Sequence, residues 1–458
     1  MPMKSLTQFK KIFLLAGDII ILYAALYLTL VIRYQALPSG LLWQNHFKVF
    51  SIVFAGWLLV FYIANLYDLR LAVNNARFWQ ITGKSLLVAT LVAVAFFYLL
   101  PNNDITPKTN LAIYLAVFTF LFGLWRNFYN WSLSAYLPKS NIAVVGWNDQ
   151  VKELVDEMSD KTQLGYRLAF IIDDRATEQN NYRNVPIWRE VARLPELVKN
   201  HKVSAIIVST DPNQSTELRS ALFACLPLKI SFFALPLFYE NFSGKVPISL
   251  ISEMWFLENL NEGGQAIFDT IKRSADFLLA LLFFLITLPF WPLIGLMIKL
   301  ESRGPIFFRQ TRVGKDGALF RIYKFRTMRE VGNDHAPTTA NDKRITRFGN
   351  FLRKTRIDEI AQLLNIIRGE MSFVGPRPER PELVLALEKL IPFYRERMLV
   401  KPGVTGSDRV SGEYHSPSYE DTLKKLQYDL FYIKNRSLYL DLSIILKTIY
   451  TILSRTGI

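Results

Sequence analysis

Residues Phe277–Ile298 read FLLALLFFLITLPFWPLIGLMI, an apolar stretch with two prolines in its middle. Its length alone would allow a membrane-spanning helix. Pro289 and Pro292 each remove a backbone donor and clash with the preceding helical turn, so together they favour a bend. Two half-helices of about ten residues rise roughly 15 Å each, enough to reach the middle of a hydrocarbon core roughly 30 Å thick. We therefore predict a re-entrant hairpin; the alternative is a kinked span that would place residues 300–458 outside the cell.

Four further apolar stretches lie in the first third of the chain, and each approaches the roughly 20 residues that a transmembrane helix needs. Trp and Tyr residues near their ends are typical of interfacial anchors. The first stretch contains Asp18, and a carboxylate inside a span is costly and usually faces other helices. We expect a structural contact at Asp18, with a functional site as the alternative. The stretches are Ile12–Tyr34, Phe47–Tyr67, Ile81–Leu100 and Leu111–Trp131.

The charges that flank these stretches predict their orientation. The basic residues are Lys4, Lys10 and Lys11 at the N-terminus, and Arg70, Arg77 and Lys84 in the second loop, whereas the third connection has only Lys108. The positive-inside rule therefore predicts that the N-terminus, the second loop and everything after the fourth span are cytoplasmic.

The composition is that of a membrane protein with anionic partners. The net charge is +15, 51% of the residues are hydrophobic, and the mean hydropathy is +0.18. Such a basic excess indicates lipid headgroups, nucleotides or nucleic acid as partners. Four spans and the lack of a recognition helix disfavour a DNA-binding protein, so we expect no nucleic-acid partner. Cys225 is the one cysteine, which excludes an intrachain disulfide.

Residues 140–258 alternate between strand and helix signals, which predicts a Rossmann-like α/β sheet. The predicted strands are Asn141–Gly146, Leu168–Ile172 and Val203–Ser209, and helical periodicity follows the first of them. A dinucleotide fingerprint needs several glycines, and here Gly146 is followed directly by Trp147. We favour a structural or regulatory domain; in the alternative, a nucleotide site, Asp173 is the ribose ligand.

Asp358 and Glu359 form the most promising reactive pair. They follow the basic segment Arg353-Lys-Thr-Arg356 and precede apolar residues at helical spacing. A helix N-terminus favours anions, and Arg353 and Arg356 add positive charge. We expect both effects to keep Asp358 ionised and available as a nucleophile or a metal ligand. The alternative is an ordinary solvated helix start.

Three other segments present cations that could bind phosphate. The predicted strand Ile322–Met328 places Lys324 and Arg326 on one face. Arg377 lies between two prolines that fix the local backbone, which suits bidentate phosphate binding. Lys401 begins the rigid loop Lys-Pro-Gly-Val-Thr-Gly. Each could equally be structural. The four histidines are scattered, so we expect no zinc site.

Together these segments resemble the bacterial sugar transferase family, the monotopic polyprenyl-phosphate phosphoglycosyl transferases. The resemblance covers about Ile271 to Ser454, and its many motifs occur in one order, which argues against coincidence. The motifs are Lys272–Asp276, the proline-broken stretch, Gly304–Gly314, Tyr323–Met328, Asp358-Glu359, Ser372–Pro378 and Lys401–Gly406.

The resemblance implies the larger architecture of this family, with three domains. These are a four-helix transmembrane domain (1–135), a Rossmann-like, CoA-binding-like cytoplasmic domain (136–262) and a membrane-associated α/β catalytic domain (263–458). The last would contain a re-entrant helical hairpin at residues 272–299. Because that hairpin stays in one leaflet, the catalytic domain would be cytoplasmic, at the bacterial inner membrane.

The resemblance also implies a reaction. Family members bind Mg²⁺ and a UDP-sugar at the membrane face, and Asp358 would attack the sugar-linked phosphate and release UMP. Undecaprenyl phosphate would then take the phosphosugar from the aspartyl intermediate. Glu359 would hold the metal together with Asp358 or steer proton transfer, and Arg377 would hold the nucleotide end. Relatives of this architecture initiate exopolysaccharide, capsule or O-antigen synthesis.

The remaining predicted site residues fall into two groups. A phosphoanhydride must be neutralised before a carboxylate can attack it, which requires cations around the site. The predicted substrate-binding residues are Lys324, Arg326, Arg353, Arg356, Gln310, Arg312 and Lys401. The lipid phosphate is expected at the hairpin mouth, at Lys272, Arg273 and Asp276.

One segment departs from the family pattern. After Gly406 the family usually continues with an aromatic residue, a small residue and Gln, and later Gly-Arg. This chain has Ser407-Asp408-Arg409 and later Gly412-Glu413. The departure leaves the sugar open, although glucose or galactose is expected. The polymer pathway and the formation of a homodimer are also open.

Two other functional classes compete with a phosphoglycosyl transferase. A non-catalytic membrane sensor or scaffold could use the Rossmann-like domain, but the intact Asp358-Glu359 pair disfavours it. A direct glycosyltransferase commonly uses an Asp-x-Asp metal site, and none is suitably placed in this sequence.

Overall fold

A computed structural model describes residues 2–67, 74, 76–99, 107–136, 140–160, 166–174, 181–211, 215–260, 265–329, 342, 344–411 and 418–454. The chain divides into two compact units, Met1–Leu235 and Pro236–Ile458. The first holds the apolar N-terminal helices and an α/β sheet, and the second holds the segment in which the reactive residues were predicted.

Four long apolar helices open the first unit. They are α1 (Pro2–Tyr34), α2 (Gly40–Ile63), α3 (Ala76–Leu99) and α4 (Pro107–Tyr136). Each is long and apolar enough to cross a membrane. Their interior is aromatic: the Trp57 ring lies 5.2 Å from Phe118 and 5.6 Å from Tyr114, and all three are buried. The predicted apolar helices of the N-terminal third are therefore confirmed.

Asp18 makes the structural contact predicted for it. Its carboxylate accepts hydrogen bonds from Arg126 Nη2 at 2.6 Å and from Trp125 Nε1 at 3.0 Å, both on α4. Asp18 and Arg126 are almost completely buried. The neighbouring Gly17 is needed for close packing, because a Cβ there would meet the Trp125 ring at 1.8 Å. A buried charge pair of this kind ties α1 to α4.

A six-stranded sheet with the order β3-β4-β2-β1-β5-β6 completes the first unit. Its strands are β1 (Ser140–Val145), β2 (Tyr166–Ile172), β3 (Asn181–Tyr182), β4 (Val185–Trp188), β5 (Val203–Val208) and β6 (Ser231–Ala234). Its helices are α5 (Asp149–Asp160), α6 (Leu194–Asn200) and α7 (Thr216–Ala224). All strands except the edge strand β3 pair in parallel, as a Rossmann-like sheet requires. The predicted α/β domain is confirmed.

The second unit is a mixed α/β assembly. Its helices are α8 (Leu235–Ser243, whose first residue belongs to the first unit), α9 (Glu253–Asn259), α10 (Ala266–Thr287), α11 (Trp291–Glu301), α12 (Arg347–Thr355), α13 (Leu363–Arg368), α14 (Pro381–Leu390), α15 (Ser407–Val410), α16 (Tyr419–Asn435) and α17 (Leu438–Ser454). Its strands are β7 (Phe307–Val313), β8 (Leu319–Phe325), β9 (Ser372–Val374) and β10 (Gly403–Thr405). The pair β7–β8 is an antiparallel hairpin and β9–β10 a parallel pair.

The proline-containing stretch forms two helices, α10 and α11, joined by a 3₁₀ turn over Leu288–Phe290. The change of helix type falls at Pro289, as expected for a residue without a backbone donor. Within Ala266–Glu301, only 6% of the most apolar segment is buried in the protein. Ala280 and Ile298 are buried in the core of the second unit, and Phe284, Trp291 and Ile294 pack against it. Many of the other apolar side chains of the stretch are exposed.

The second unit begins at Pro236, before the predicted catalytic start at residue 263. Glu240 on α8 is 5% exposed and accepts hydrogen bonds from Lys434 Nζ at 2.7 Å and Asn435 Nδ2 at 3.0 Å. The Val246 N–H donates to the Gln427 carbonyl at 3.2 Å, and Val246 packs in the same core as Leu430. Residues 236–260 are therefore an integral part of this unit, whereas the resemblance implied a domain boundary between residues 262 and 263.

Glu240→Ala is expected to lower the free energy of unfolding by about 1–3 kcal/mol, because Lys434 and Asn435 lose a buried acceptor. Thermal unfolding of the full chain in detergent measures the change. Glu253→Ala on α9 is the matched control, since Glu253 is exposed. Equal unfolding temperatures for the two variants would contradict the structural role of the 236–260 segment.

Candidate active site

Asn365 fastens the β8 strand to the segment that carries the acidic pair. It is completely buried on α13, its Oδ1 accepts from the Tyr323 N–H at 3.1 Å, and its Nδ2 donates to the Arg321 carbonyl at 2.7 Å. One amide side chain thus pairs with an exposed strand edge as a neighbouring strand would. The contact fixes β8 beside residues 357–362, and with it the position of Lys324.

Asp358 and Glu359 lie in a 3₁₀ segment, Ile357–Gln362, between α12 and α13. Helix α12 is capped at its N-terminus by Thr346, whose Oγ1 accepts from the Gly349 N–H at 2.9 Å, and it is followed by Arg356, which has a φ of +58°. The predicted helical run starting at Arg353 is therefore interrupted. Arg353 belongs to the last turn of α12, and the left-handed Arg356 turns the chain so that both carboxylates point inward.

Glu359 is held on both carboxylate oxygens by cations. Lys324 Nζ donates to Oε1 at 2.8 Å, and Arg409 Nη1 lies 3.4 Å from Oε2. Arg356 Nη1 is also 4.0 Å from Oε1. Burial alone would raise the pKa of Glu359, but Lys324, Arg409 and Arg377 outweigh it and lower that pKa well below its usual range. Glu359 is therefore a permanent anion in the centre of a basic cluster.

Asp358 is in the opposite situation. It is 8% exposed, and its Oδ1 is buried without a hydrogen-bond partner. Burial and the neighbouring Glu359 charge raise its pKa, against the opposing effects of Lys324, Arg356 and Arg353. Arg353 and Arg356 lower this pKa, as expected, but burial and the Glu359 charge outweigh them, and neither of these two effects is visible in the sequence.

Two loops, at residues 372–378 and 401–406, approach each other closely beside Asp358 and Glu359. The Ser372 N–H donates to the Pro402 carbonyl, the Gly375 N–H to the Thr405 carbonyl, and the Gly403 N–H to the Pro376 carbonyl, each at 2.9 Å. A Cβ at Gly375 would lie 2.3 Å from the Lys401 carbonyl oxygen, and one at Gly403 would lie 2.1 Å from the Gly375 nitrogen. The glycines of the two motifs are thus explained by contact between the loops.

Arg377 projects from the first of these loops and is exposed. Its backbone is held in place: Arg397 Nη2 donates to the Arg377 carbonyl at 3.1 Å, and Arg312 Nη1 donates to the Pro378 carbonyl at 3.0 Å. Within the described residues, its guanidinium makes no hydrogen bond or ion pair. The nearby Arg409 charge lowers the pKa of Arg377. An arginine held in this way is suited to an anionic ligand.

The other predicted substrate-binding residues are more dispersed. Gln310 accepts from Arg312 Nη2 at 2.7 Å, and Arg312 also pairs with Glu379 at 3.5 Å, so both brace the Arg377 loop. Arg326 is 5% exposed and donates to the Ser302 carbonyl at 2.7 Å, at the end of α11. The structure thus places Lys324, Arg353 and Arg356 around the acidic pair, whereas Arg326, which directly follows β8, contacts the end of α11.

The residues predicted for the lipid phosphate are already engaged with the protein. Lys272 pairs with Asp441 at 2.5 Å, and Arg273 donates to the Ile366 and Ile367 carbonyls at the end of α13. Asp276 accepts from the Phe373 N–H at 3.3 Å. Lys401 lies near Arg273: burial first, and then the Arg273 charge, lower its pKa. The structure therefore adds Lys401 to this group.

The acidic pair fits a metal ion in part. Asp358 Oδ1 is a buried acceptor that lacks a partner, as a metal ligand would be in the absence of the ion. Glu359, by contrast, has both oxygens close to cations. No group of three or more His, Cys, Asp or Glu side chains suited to a metal occurs among the residues that the structure describes. Such a site suits Mg²⁺, which often takes one or two carboxylates together with substrate phosphates.

No role for Asn365 or for Arg409 was predicted from the sequence. Asn365 lies within an apolar helical run, and a single polar residue there does not indicate a function from sequence alone. Its role is evident only from its hydrogen bonds to β8. Arg409 fell in the departure from the family pattern, and its contact with Glu359 joins positions 50 residues apart.

The Rossmann-like sheet of the first unit has a different arrangement from a dinucleotide site. Asp173 Oδ2 accepts from the Trp147 N–H at 2.6 Å, directly after Gly146. This N–H is among those that a bound pyrophosphate would be expected to use. The contact supports the structural interpretation of this domain over a ribose-binding role for Asp173.

Comparison with known proteins identifies the family. The family model "Bacterial sugar transferase" matches residues 267–455, and the model "CoA-binding domain" matches residues 62–234. The chain is 33% identical over 355 residues to the UDP-glucose:undecaprenyl-phosphate glucose-1-phosphate transferase of Xanthomonas campestris pv. campestris, which covers 72% of this chain and 70% of that one. The chain belongs to the bacterial sugar transferase family.

Other bacterial sugar transferases align with it over various lengths. It is 38% identical over 276 residues to the UDP-N-acetylgalactosamine-undecaprenyl-phosphate N-acetylgalactosaminephosphotransferase of Aeromonas hydrophila, covering 59% of this chain and 63% of that protein. It is 40% identical over 183 residues to the UDP-glucose:undecaprenyl-phosphate glucose-1-phosphate transferase of Escherichia coli K12, covering 39% of each chain. The predicted family is confirmed, and the match spans under two thirds of the Aeromonas and Escherichia proteins.

Lys324→Gln tests the basic cluster of this bacterial sugar transferase. It is expected to lower the free energy of unfolding by roughly 3–5 kcal/mol, because Glu359 would remain buried without its closest counter-charge. Arg321→Gln on the same strand is the matched control, because the Arg321 side chain is exposed and only its backbone contacts Asn365. Thermal unfolding in detergent measures the difference, and equal unfolding temperatures in the two variants would show that the Lys324–Glu359 pair is dispensable for stability.

Proposed function

We propose that this chain transfers a hexose 1-phosphate from a UDP-sugar to undecaprenyl phosphate and releases UMP. The observation that carries the proposal is Asp358, a buried carboxylate with an unpartnered oxygen, beside Glu359 in a cluster of cations. The names of the relatives support the substrate class, although they differ in the sugar: N-acetylgalactosamine, glucose and galactose all occur. We place the reaction at the first membrane step of exopolysaccharide, capsule or O-antigen synthesis.

In the first step, an Asp358 oxygen attacks the phosphorus that carries the sugar. The bond from that phosphorus to the bridging oxygen breaks, and UMP leaves with the bridging oxygen, which gives a phosphosugar–aspartyl ester. Lys324, Arg353 and Arg356 surround the reacting carboxylate, and Arg377 binds the nucleotide phosphate. Mg²⁺, held by Asp358 and Glu359 when bound, would neutralise diphosphate charge. Pre-positioned charge of this kind stabilises a phosphoryl-transfer transition state.

In the second step, an oxygen of the polyprenyl phosphate attacks the same phosphorus and displaces the Asp358 carboxylate. The product is a sugar attached to the lipid through a diphosphate, and the enzyme returns to its initial form. Lys401, near Arg273 and Asp276, is placed to receive the lipid phosphate at the base of α10. Glu359 remains ionised throughout, because its cations hold it in that state.

The packing of α10 and α11 supports a re-entrant arrangement. At the start of α10, Arg273 donates to the Ile366 carbonyl at 2.6 Å; at the end of α11, Glu301 accepts from the Phe348 N–H at 3.0 Å. Both contacts belong to the same unit. A helix that crossed the bilayer could not return both ends to one globular core. Between the ends the apolar side chains are exposed, as lipid contact would require. The exposed residues include Leu282, Phe283, Leu285, Ile286, Phe290 and Leu293.

The charge distribution supports a cytoplasmic location for the catalytic unit. With four spans in the N-terminal third, the basic N-terminus and the residues after α4 are on the same side, and the positive-inside rule puts that side in the cytoplasm. UDP-sugars and the inner-leaflet lipid phosphate are available there. We therefore place the enzyme in the bacterial inner membrane.

The leaving group tests the reaction class. Membranes containing the enzyme, given a panel of UDP-sugars and undecaprenyl phosphate, are expected to release UMP in step with the lipid-linked product. Chromatography of the nucleotide products measures this. Release of UDP would instead indicate direct glycosyl transfer, in which the phosphate between sugar and nucleotide is not transferred.

Asp358→Asn tests the nucleophile. The amide retains the shape but cannot form the ester, so turnover is expected to fall by at least about 1,000-fold and no covalent phosphosugar adduct should be trapped. Intact-protein mass spectrometry of enzyme incubated with donor alone detects the adduct in the parent protein. Glu388→Gln on α14 is the control, because Glu388 is an exposed carboxylate. Near-normal turnover of Asp358→Asn would remove Asp358 from its role.

Thiol labelling tests the membrane path of α10 and α11. Arg303 is exposed just after α11, and Cys225 is the one native cysteine, so Arg303→Cys is introduced with Cys225→Ser. A membrane-impermeant maleimide should label it from the cytoplasmic side alone. Lys108→Cys, predicted to be outside, should show the opposite pattern. Labelling of both from the outside would mean that the proline-broken stretch crosses the bilayer.

A further inference from the structure

Arg409 is anchored at the site by one of its two terminal nitrogens. Nη1 donates to the Val404 carbonyl at 2.7 Å and lies 3.4 Å from Glu359 Oε2. These two contacts account for both N–H groups of that nitrogen. The anchor also connects the short helix α15 to the β10 strand, since Val404 is the central residue of β10. The guanidinium plane is therefore fixed from one edge.

The other edge of the guanidinium is available. Among the described residues, Arg409 Nη2 and Nε make no hydrogen bond, and the side chain is 24% exposed. Three donors in a fixed fork match the geometry of phosphate oxygens. Arg377 presents a second guanidinium nearby, also without a hydrogen bond or ion pair to it within the described part of the chain.

The charge balance around the two arginines calls for an anion. Lys324, Arg409 and Arg377 all act on Glu359. Glu379 and Asp408 also act on Arg377, but within the described residues no ion pair joins either of them to Arg377. Arg409 is also the first cause of the lowered pKa of Arg377, which means that the two cations repel each other without an anion between them. A ligand carrying two negative charges would relieve this repulsion.

We propose that Arg409 is a second phosphate-binding arginine, which grips the diphosphate of the nucleotide-sugar donor together with Arg377. The inference rests on the proposed function for the identity of the donor. It assigns a role to the segment in which this chain departs from the family pattern, where an arginine stands in place of glutamine. Arg409 would then contact Glu359 through Nη1 and the donor diphosphate through Nη2 and Nε.

Nucleotide binding to the full-length protein in nanodiscs tests the assignment without any turnover. Arg409→Gln, which places the residue of the family pattern at this position, is expected to weaken UDP binding by about tenfold or more, since hydrogen bonds to charged groups are strong. Competition with uridine, which has no phosphate, should be unchanged. Arg409→Lys should retain part of the UDP affinity. Arg395→Gln is the control, because Arg395 is an exposed arginine on the same unit.

Three outcomes would overturn the inference. They are unchanged UDP affinity in Arg409→Gln, an equal loss of uridine binding, or a fall in kcat with UDP affinity intact, which would mean that Arg409 acts on Glu359 alone. If Arg409→Gln does not fold, the comparison of Arg409→Lys with Arg395→Gln decides. The test is independent of the reaction class: a parent enzyme that released UDP would refute the proposed function, while the dependence of UDP binding on Arg409 would still stand.

Discussion

The contact between Lys324 and Glu359 is the constraint on which the catalytic unit depends. Glu359 is 7% exposed, and a carboxylate removed from water to that extent is tolerated only beside an opposite charge. Lys324, near the end of β8, supplies that charge: its Nζ lies 2.8 Å from Glu359 Oε1. Successive side chains of a strand point to opposite faces, so a slip of one residue would turn Lys324 away and leave Glu359 unpaired. Asn365 prevents the slip by holding the Tyr323 N–H and the Arg321 carbonyl.

Arg377 is positioned by contacts to its backbone rather than by a carboxylate of the site. Arg377 stands on a loop whose carbonyls are held by Arg397 and Arg312, and whose glycine allows contact with the Lys401–Gly406 loop. Arg397 is itself buried against Asp429 at 2.8 Å. Arg397 and Arg312, which are each paired with a carboxylate, therefore hold the backbone on either side of the unpaired Arg377 side chain. This order leaves Arg377 available to a ligand, while the charges beneath it are satisfied within the protein.

The elements of this chain could be predicted better than their contacts. Periodicity and prolines located the apolar helices, the parallel strands and the break at Pro289, because these depend on neighbouring residues. The acidic pair and Arg377 were found from local charge and from motifs. The burial of Asp358 depends on residues far away in sequence, as do the partners of Lys272 and Arg273 and the approach of Arg409 to Glu359. The sequence placed Arg353 on the wrong side of a helix break, because a left-handed Arg356 has no signal comparable to that of glycine.

The two adjacent carboxylates show how environment separates chemically similar groups. Asp358 and Glu359 differ little in intrinsic acidity, yet burial and its neighbour's charge raise the pKa of Asp358 while three cations lower that of Glu359. The cations thus favour one ionised group, and the second is left poorly solvated, with an oxygen that has no partner. Divergent environments of this kind usually assign different roles to paired carboxylates. Glu359 fixes the positive cluster in place, and Asp358 is the group whose charge is least stabilised by the protein and most open to reaction with a ligand that brings its own counter-charge.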